Sequence, residues 1–578
     1  MIDFSKIKKH KDYSKAIHYF ENRVYNDFPE VPSYELFNLF WENGNRSVYE
    51  KLYFERRKQL TYLGILVKNQ PENALYKNKL EKLIYSICNE FTWCLPAHLD
   101  KQREFDPQFK QYTLDLFACE TAFTLAELSF LLKGLLPEDL ELLIEHSIQV
   151  RILSPFLNKN WNFENLENNW SAVCTGSIGI AALYLLEEDD SNLEEILTRV
   201  NATMDVFLKG FGDDGACLEG LNYWQYGFRY FTYYIDCLNR ETTNPYSETL
   251  NQEKIKNIAM YQQKMYLFDR TVINVSDSPL EIEPAHDLAR YYRSLFPDDI
   301  KIPDTPLEVD KLVDHCGRWA PMIRTLQWSE VEEPKTEESQ RIEWLNDAQM
   351  FIYKNQEFQV VTKGGHNDEP HNHNDLGHFI LFYKETPFCI DLGAPEYTKD
   401  YFEDKRYETI QASSLGHSVP IINGHIQESG KEQISLVKDI NPNDLKVVYD
   451  LTRAYSDEHL LTYHREIKVH PKKNALRIRD YFKFNATQNL VKQRFILSDM
   501  KFLTTNGFEL IFEKDSFYFK ATILSGKGTF YTEPLIYRDH FGQKQKAIVL
   551  DISFDSKELE ELVDIEFRCF RKEEEADV

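Results

Sequence analysis

The stretch SEVEEPKTEESQ, Ser329 to Gln340, separates two parts of the chain whose apolar residues follow different periods. It is acidic, contains one proline and lacks large apolar residues, a composition typical of a linker. Before it, apolar residues recur with a helical period, and after it they alternate with polar ones. The pattern predicts a helical domain over residues 1–328, a strand-rich domain over residues 341–578 and a linker over residues 329–340.

The helical period is clearest in residues 191–208, where every third or fourth residue is apolar and one stripe would be buried. Ser191 and Glu194 match a capping box, which predicts that this helix is capped by Ser191. Comparable stripes run through roughly 48–70, 73–92, 115–134, 137–157, 170–186, 221–239, 252–268 and 285–296. About ten helices in succession without interleaved strands predict an all-helical solenoid or toroid.

The second part has the period of two that is typical of strands. Its candidate strands are QMFIYKN, EFQVVTK, HFILFYK, KVVYDLT, FYFKATIL, KAIVLDISF and DIEFRCF. Helices followed by a run of strands, without βαβ alternation, predict a multidomain α+β chain whose second domain is an antiparallel β-sandwich.

Bulk composition narrows the classes of function. A formal charge of −26 over 578 residues argues against a nucleic-acid binder and against a basic membrane-surface protein. The first residues, MIDFSKIKKHKDYSK, contain no apolar run, and the sequence has no run long enough to cross a bilayer. Nine cysteines without a CxxC pair are typical of a reducing compartment, so we expect a cytoplasmic protein.

Histidines cluster between His366 and His425, in HNHNDLGHF (371–379), CIDLG (389–393) and SSLGHSVPIINGH (413–425). If HNH lies on a strand, His371 and His373 point to the same face. Asp391 follows His373 by 18 residues, enough for a turn and a return strand, and His417 follows 26 residues later. Two imidazoles and a carboxylate are a typical zinc ligand set, and histidines with ordinary hydrogen bonds are the alternative interpretation.

Three motifs in the helical part combine aromatic, amide and small residues: FTWCLPAHL (91–99), ENNWSAVCTGSIGIAAL (167–183) and FGDDGACLEGLNYWQYGFRYF (211–231). Each motif alone is explained by helix capping and core packing. Together they predict an amide- and phenol-lined cleft, to which we assign Trp93, His98, Trp170 and Tyr226 as substrate-binding residues.

These motifs resemble the heparinase II/III superfamily of polysaccharide lyases over residues from about 90 to 430. The resemblance is carried by H-x-H-x-D-x-G-x-F, a later D-x-G and S-x-x-x-H, preceded by W-x-L-P-x-H, N-N-W and D-G-x-x-x-E-G-x-x-Y. It implies an N-terminal (α/α) toroid followed by a β-sandwich, with an active cleft between them. It also implies β-elimination on uronic-acid glycans, and often a zinc ion.

The resemblance assigns roles to individual residues. His373, Asp391 and His417 match the zinc ligands, and the zinc is expected to be structural. His371 matches the cleft-facing histidine.

Two further matches lie in the helical part. Tyr223 matches the tyrosine acid and Asn169 the amide that contacts the substrate carboxylate. Trp170 occupies a position where some members have a catalytic histidine, so the general base here must be another group, with His371 or Tyr223 the nearest candidates. Arg406, in KRYE, is the candidate cation for an acidic oligosaccharide or polysaccharide.

Two other functions fit parts of the same sequence. A toroid glycoside hydrolase would use paired carboxylates, for which Asp213, Asp214 and Glu219 are candidates. A non-catalytic protein that binds acidic glycans would need the aromatic cleft and no acid or base.

Overall fold

The computed structural model describes residues 2–99, 111–328, 340–398, 401 and 405–572. The predicted linker, residues 329–340, lies outside the described residues except for Gln340. Contacts divide the chain into two compact units. The helical unit comprises Met1–Phe211, Tyr223–Gln263 and Glu283–Pro334, and the β unit comprises Gly212–Asn222, Lys264–Ile282 and Lys335–Val578.

Helices follow one another through the first half of the chain, as the apolar period predicts. In order they are α1 (Phe4–Lys9), α2 (Tyr13–Glu21), α3 (Tyr34–Asn43), α4 (Ser47–Asn69), α5 (Ala74–Cys88), α6 (Leu116–Leu131), α7 (Glu138–Ile148), α8 (Ser154–Asn158), α9 (Asn169–Leu185), α10 (Ser191–Lys209), α11 (Leu221–Glu241), α12 (Tyr246–Thr249), α13 (Gln252–Met265), α14 (His286–Leu295) and α15 (Trp319–Gln327). None of the helices in the described ranges is both long and apolar enough to cross a membrane.

The start of α10 differs from the capping box that the sequence predicts. Its cap is Asp190, whose side chain accepts a hydrogen bond from the backbone amide of Asn192, and Ser191 is already the first helical residue. Aspartate caps a helix as well as serine does, so a Ser-x-x-Glu match one residue later does not decide the boundary.

A short hairpin interrupts the helical half where the sequence predicts helix up to residue 268. Strands β1 (Tyr266–Phe268) and β2 (Thr271–Val272) follow α13 directly. This hairpin and the loop after it belong to the β unit as the segment Lys264–Ile282, although the main segment of that unit begins only at Lys335.

The remaining strands all lie in the β unit. They are β3 (Gln340–Leu345), β4 (Met350–Asn355), β5 (Phe358–Lys363), β6 (His366–Asn367), β7 (Phe379–Tyr383), β8 (Thr386–Cys389), β9 (Ile421–Ile422), β10 (Gly430–Ile434), β11 (Leu436–Asn441), β12 (Lys446–Asp450), β13 (Leu460–His470), β14 (Ala475–Phe484), β15 (Asn489–Ser498), β16 (Lys501–Thr505), β17 (Glu509–Lys514), β18 (Phe517–Ser525), β19 (Gly528–Arg538), β20 (Lys544–Ser556) and β21 (Glu560–Arg571).

Most of these strands form two large antiparallel sheets, and β6 pairs with β10 in a separate two-stranded sheet. One has the order β11-β12-β13-β14-β21-β18-β17-β16. The other has the order β19-β20-β15-β8-β7-β5-β4-β3, with β9 paired to β15. Alternate residues of both sheets enter one buried apolar cluster, in which Phe379 of β7 lies 5.9 Å from Phe567 of β21 between ring centroids. The β unit is therefore the predicted antiparallel sandwich.

Candidate active site

The three predicted metal ligands come together in the β unit. His373, Asp391 and His417 are buried, and one potential ligand atom of each lies within 4.8 Å of the other two. His417 Nδ1 is 3.3 Å from Asp391 Oδ2. That separation is close to the edge of about 3.3 Å expected for a tetrahedral site with bonds of about 2.0 Å.

Hydrogen bonds outside this cluster fix which atoms face its centre. His417 Nε2 lies 2.8 Å from the carbonyl oxygen of Gln411, and His373 Nε2 lies 3.1 Å from a carboxylate oxygen of Asp277. Both Nε2 atoms must therefore carry the proton, which leaves the Nδ1 atom of each ring as the possible metal ligand. Asp391 Oδ1 accepts the Gly393 amide at 2.7 Å, whereas Oδ2 and both Nδ1 atoms are buried without a hydrogen-bond partner.

The charges in this cluster are consistent with a bound cation. Burial opposes ionisation of Asp391, but the neighbouring His417 imidazole outweighs it and holds the pKa of the carboxyl well below its usual range. Burial also opposes protonation of His417, and the Asp391 carboxylate reverses this and raises its pKa. A metal ion bound there would take the place of the His417 proton beside the Asp391 carboxylate, at atoms that have no hydrogen-bond partner.

His378 also lies beside Asp391 but is not a ligand. Its Nδ1 accepts the backbone amide of Ser418 at 2.8 Å, so the proton of the neutral ring is on Nε2, which lies 3.4 Å from Asp391 Oδ2. Burial lowers the pKa of His378 to about 3 despite the nearby carboxylate. The Nδ1 lone pair of His378 is therefore engaged by the Ser418 amide, and its Nε2 has no hydrogen-bond partner among the described residues.

A second group of potential ligands occurs among the described residues of the helical unit, at Asp314, His315 and Cys316. Asp314 Oδ2 already accepts from the Arg318 guanidinium at 2.6 Å. Burial raises the pKa of the Cys316 thiol well above its usual range, which disfavours the thiolate that metals bind.

His371 belongs to a second cluster, centred on a buried aspartate that the sequence does not point to. Asp277 Oδ2 accepts from His371 Nδ1 at 2.6 Å and from Arg406 at 3.2 Å. Asp277 Oδ1 accepts from His373 Nε2 at 3.1 Å and from the Tyr401 hydroxyl at 2.5 Å. A single carboxylate therefore links the candidate catalytic histidine to a candidate metal ligand.

The protonation state of Asp277 follows from these partners. Burial alone would raise its pKa, but the hydrogen bonds from His371 and His373 hold the pKa well below its usual range. An ionised carboxylate only accepts hydrogen bonds, so His371 must donate through Nδ1. In the neutral ring, Nε2 is then the basic atom, and the side chain keeps 20% of its surface exposed.

The expectation that HNH lies on a strand is wrong. Residues 371–378 form turns before β7, and His371 has a φ of +57°, in the left-handed region that a strand excludes. The two imidazoles converge because both hydrogen-bond to Asp277, rather than because they share a strand face. A non-glycine residue in this conformation is held there by its surroundings, here by the Asp277 hydrogen bond.

Arg406 lies at the same cluster, and its charge is already engaged. Its guanidinium donates to Asp277 and to the backbone carbonyl of Asn372, at 3.0 Å for the shorter contact, and packs 4.2 Å from the centre of the Tyr401 ring. The side chain is half-buried. In this arrangement Arg406 compensates the charge of Asp277, and a direct contact with substrate would need it to leave that carboxylate.

Another aspartate–histidine pair lies in the helical unit. His98 Nδ1 is 2.8 Å from Asp115 Oδ2, and Asp115 also accepts the backbone amides of Leu95 at 3.0 Å and Ala118 at 2.7 Å. Asp115 caps α6 through the Ala118 contact. The edge of the His98 ring packs against Trp170, with ring centres 5.0 Å apart. His98 and Trp170 are thus neighbours, both partly exposed.

Asn169 and Tyr223 lie on two helices that approach closely within the helical unit. Asn169 is the first residue of α9, capped by Asn168, and Tyr223 is in the first turn of α11. A Cβ at Gly227, one turn after Tyr223, would lie only 3.1 Å from Asn169 Cα. The absence of a side chain at Gly227 therefore lets the start of α9 lie against the helix that carries Tyr223.

Tyr226 follows Tyr223 on α11 and is bonded to a buried carboxylate. Its hydroxyl donates to Glu120, which also pairs with Arg318 at 3.1 Å. Burial and the Glu120 charge raise the pKa of Tyr226 well above its usual range, so its hydroxyl stays protonated. Its ring lies under the Arg318 guanidinium, 4.2 Å from centroid to carbon.

The assignment of Trp93 to substrate binding is wrong. Its side chain is 1% exposed, and its indole N–H donates to the carbonyl oxygen of Ile87 at 2.8 Å. The Trp-x-Leu-Pro-x-His motif thus contains one core residue and one partly exposed residue, His98. Burial of an aromatic ring is the usual outcome for tryptophan, and the motif spacing did not distinguish the two cases.

The carboxylates considered for a hydrolase have other partners. Asp214 accepts the backbone amides of Ala216 at 2.9 Å and Asp347 at 2.7 Å, which fixes the loop before α11. Glu219 is buried in the β unit with a carboxylate oxygen 3.7 Å from His371 Nε2. It is therefore a neighbour of the candidate base.

Comparison with known proteins bears on the family and the fold of this chain. Residues 338–566 match the family described as Heparinase II/III-like, C-terminal. None of the curated proteins compared matches the sequence. For residues 338–566 this match confirms the resemblance to the heparinase II/III superfamily.

Solved structures with a similar fold extend over nearly the whole chain. Heparinase III has a TM-score of 0.66 at 12% identity, covering 99% of this chain and 92% of that one. Heparan sulfate lyase HepC from Pedobacter heparinus has a TM-score of 0.63 at 13% identity, covering 97% and 88%. Chondroitin AC lyase from Streptomyces coelicolor A3, in complex with chondroitin sulphate, has 0.56 at 9% identity, covering 97% and 80%. The predicted fold class is confirmed.

Proposed function

We propose that this chain is a polysaccharide lyase that cleaves uronate-containing glycans by β-elimination, because residues 338–566 match the family described as Heparinase II/III-like, C-terminal. The observation that carries the proposal is the hydrogen bond of 2.6 Å from His371 Nδ1 to buried Asp277. It sets the tautomer in which Nε2 can accept a proton, on a side chain that solvent still reaches.

The reaction needs a base, an acid and a group that stabilises a carboxylate-derived anion. His371 Nε2 takes the proton from C5 of the uronate, and the electrons of the C–H bond form the C4–C5 double bond. The C4–O4 bond breaks, and the leaving oxygen takes a proton from the Tyr223 hydroxyl. The Asn169 amide donates to the substrate carboxylate as negative charge develops on it.

Asp277 is a positioning residue in this scheme. It never contacts substrate, but its carboxylate holds the His371 ring and stabilises the imidazolium that forms when Nε2 is protonated. Tyr401 and Arg406 hold that carboxylate in turn. With Trp170 at the position where some relatives have a catalytic histidine, His371 supplies the base.

His373, Asp391 and His417 would hold a zinc ion. Two nitrogen donors and one carboxylate oxygen are typical zinc ligands. One atom of each residue is buried without a hydrogen-bond partner, and a bound cation would supply that partner. Bound there, zinc would stabilise the loops that carry His373 and His417. The Asp277 bond to His373 would transmit that rigidity to His371.

The principal experiment measures ultraviolet absorbance of the new C4–C5 double bond. Purified protein is incubated with alginate, hyaluronan, chondroitin sulfate and heparan sulfate, since the similar structures include lyases for the last two. We expect absorbance to rise with at least one polymer. Reducing ends that appear without absorbance would instead indicate a hydrolase, and binding without either product a non-catalytic glycan-binding protein.

Two variants test the roles. Tyr223→Phe removes only a hydroxyl, so turnover should fall at least about 100-fold without a change in melting temperature. Activity within a few-fold of wild type would exclude Tyr223 as the acid.

His373→Ala should lose bound zinc by elemental analysis and melt at a lower temperature. His425 is exposed, so His425→Ala should keep the bound zinc and the melting temperature of the wild type. Native protein without zinc would contradict the metal assignment.

A further inference from the structure

A groove in the β unit has no role in the reaction described above. Its volume is about 630 Å³, within the range of small-ligand sites. Its walls come from the loop after β2, the loop after β8 and the β19–β20 hairpin. The loop after β8 also carries Asp391, so the groove begins beside the candidate metal cluster.

The tip of the β19–β20 hairpin presents an exposed aromatic ring on a fixed turn. Asp539 Oδ1 accepts the amides of Phe541 at 3.0 Å and Gln543 at 2.9 Å, and its Oδ2 accepts the Gln545 side chain at 2.8 Å. Phe541 lines the groove yet is 72% exposed. A large ring held in water by a preorganised turn is well placed to stack on the apolar face of a sugar.

Aromatic side chains connect this tip with the candidate base. The His371 ring stacks on Tyr397 at 6.3 Å between centroids, and Tyr397 meets the His540 ring edge to face at 4.6 Å. His540 in turn lies 5.4 Å from Phe541. These side chains form a continuous path from His371 to Phe541, all of it within the β unit. A bound oligosaccharide could follow this path from the candidate base to the groove.

Three lysines line the groove, and none forms an ion pair with the described residues: Lys514, Lys544 and Lys546. Burial lowers the pKa of Lys514, a sign that its ammonium group is partly removed from water. Such unpaired lysines stand out in a chain with a net charge of −26. They provide local positive charge that the molecule as a whole lacks.

The groove is also lined by carboxylates. Those that have other partners within the protein contribute less to the charge that a ligand meets. Asp391 faces the candidate metal cluster, and Asp539 is engaged by its own hairpin. Glu281 and Asp499 remain, against three lysines. The balance suits a ligand with sparse carboxylates between apolar sugar faces, rather than a densely sulfated one.

We propose that this groove is a binding subsite for an acidic oligosaccharide, with Phe541 stacking on a sugar ring and Lys544 and Lys546 contacting uronate carboxylates. It would hold sugar units of the chain that is cleaved near His371. The proposal rests on the lyase function proposed above for the identity of its ligand.

The test compares groove variants with matched variants elsewhere in the β unit. Phe541→Ala and the double variant Lys544→Ser/Lys546→Ser change the groove. Phe508→Ala is the aromatic control, since Phe508 is 62% exposed in the β16–β17 turn, and Lys472→Ser/Lys473→Ser is the charge control. Calorimetry measures the binding of uronate hexasaccharides prepared from alginate, hyaluronan, chondroitin and heparan sulfate, in a Tyr223→Phe background to prevent turnover.

We expect Phe541→Ala to weaken hexasaccharide binding about tenfold, the size typical of one lost aromatic contact. The double lysine variant should weaken it by a similar factor, and less so at high salt. Both control variants should bind as the parent does. In active protein, the groove variants should raise KM for the hexasaccharide while kcat and the KM for the shortest cleaved substrate stay unchanged.

The outcomes separate this proposal from the lyase proposal. If the wild type yields no unsaturated product but the groove variants still lose hexasaccharide binding, the subsite stands and the lyase function fails. If the wild type is an active lyase and the groove variants bind like their controls, the subsite is wrong. A parent protein that binds none of the four hexasaccharides also overturns the subsite.

Discussion

Two aspartate–histidine pairs, Asp115–His98 in the helical unit and Asp277–His371 in the β unit, have similar bond lengths of 2.8 and 2.6 Å. Asp115 receives its other hydrogen bonds from the backbone amides of Leu95 and Ala118, and it caps a helix. Asp277 receives four hydrogen bonds from side chains alone. Asp115 therefore stabilises the backbone around it. Asp277 instead holds several side chains in place, among them the candidate base His371.

The largest effect is expected from Asp277→Ala. It removes the group that orients His371 and leaves the Arg406 guanidinium without its carboxylate partner. We expect kcat to fall at least about 1,000-fold, within the range for general acid–base catalysis, and stability to fall by about 3–5 kcal/mol. Steady-state kinetics and urea unfolding measure the two losses. Activity within tenfold of wild type would show that Asp277 does not position the base.

Acidification should affect histidines that lack such a carboxylate partner. Burial, helped by the Arg290 charge, lowers the pKa of His286 to about 4, and neither ring nitrogen has a hydrogen bond. The unfolded chain, with a histidine pKa near 6.5, binds the proton more readily, so stability is present above pH 6.5 and lost as pH falls toward 4. Between pH 7 and pH 5 the loss from His286 should be about 2 kcal/mol.

The control for this pH effect is His286→Leu, which replaces the titratable ring with an apolar side chain that cannot bind a proton. Urea unfolding of the wild type and the variant at both pH values gives the difference directly. An equal dependence on pH in the two proteins would show that His286 is not the group that takes up the proton.

Asp115→Ala should have a smaller effect, and mainly on stability. It removes the α6 cap and leaves the amides of Leu95 and Ala118 without that acceptor, at a cost of about 1–2 kcal/mol. We expect kcat to change less than tenfold, in contrast to Asp277→Ala. A loss of kcat as large as that of Asp277→Ala would mean that Asp115, like Asp277, positions a histidine for the chemical step.

His98→Ala should have the smallest effect. If His98 and the neighbouring Trp170 contact substrate in the same way before and during the reaction, KM should rise about threefold to tenfold with kcat unchanged. Initial rates over a range of polymer concentrations separate the two constants. A lower kcat at constant KM would instead place His98 in the chemical step.

The hydrophobic period predicted most elements of the fold because it reports local structure. The stripe over 191–208 became α10, and strands were found at all seven predicted segments. Where two local signals compete, the prediction failed. Asp190 rather than Ser191 caps α10, and the predicted helix over 252–268 ends at Met265 before β1.

The candidate site was predicted in its residue types and only partly in its geometry. His373, Asp391 and His417 do converge, as the histidine-rich segment indicates. The strand expected to align His371 with His373 is absent among residues 371–378, where His371 adopts a left-handed conformation. Trp93, singled out with His98 from one motif, is in the core.

The sequence by itself determined the order of helices and strands, the two-part organisation and the supply of metal-ligating and aromatic residues. Those properties depend on neighbours within a few turns of the chain. Only the tertiary structure decided that Asp277, 94 residues before His371, would become its partner. An aspartate in a loop carries no periodic signal, and its role arises when folding buries it beside donors that it alone can satisfy.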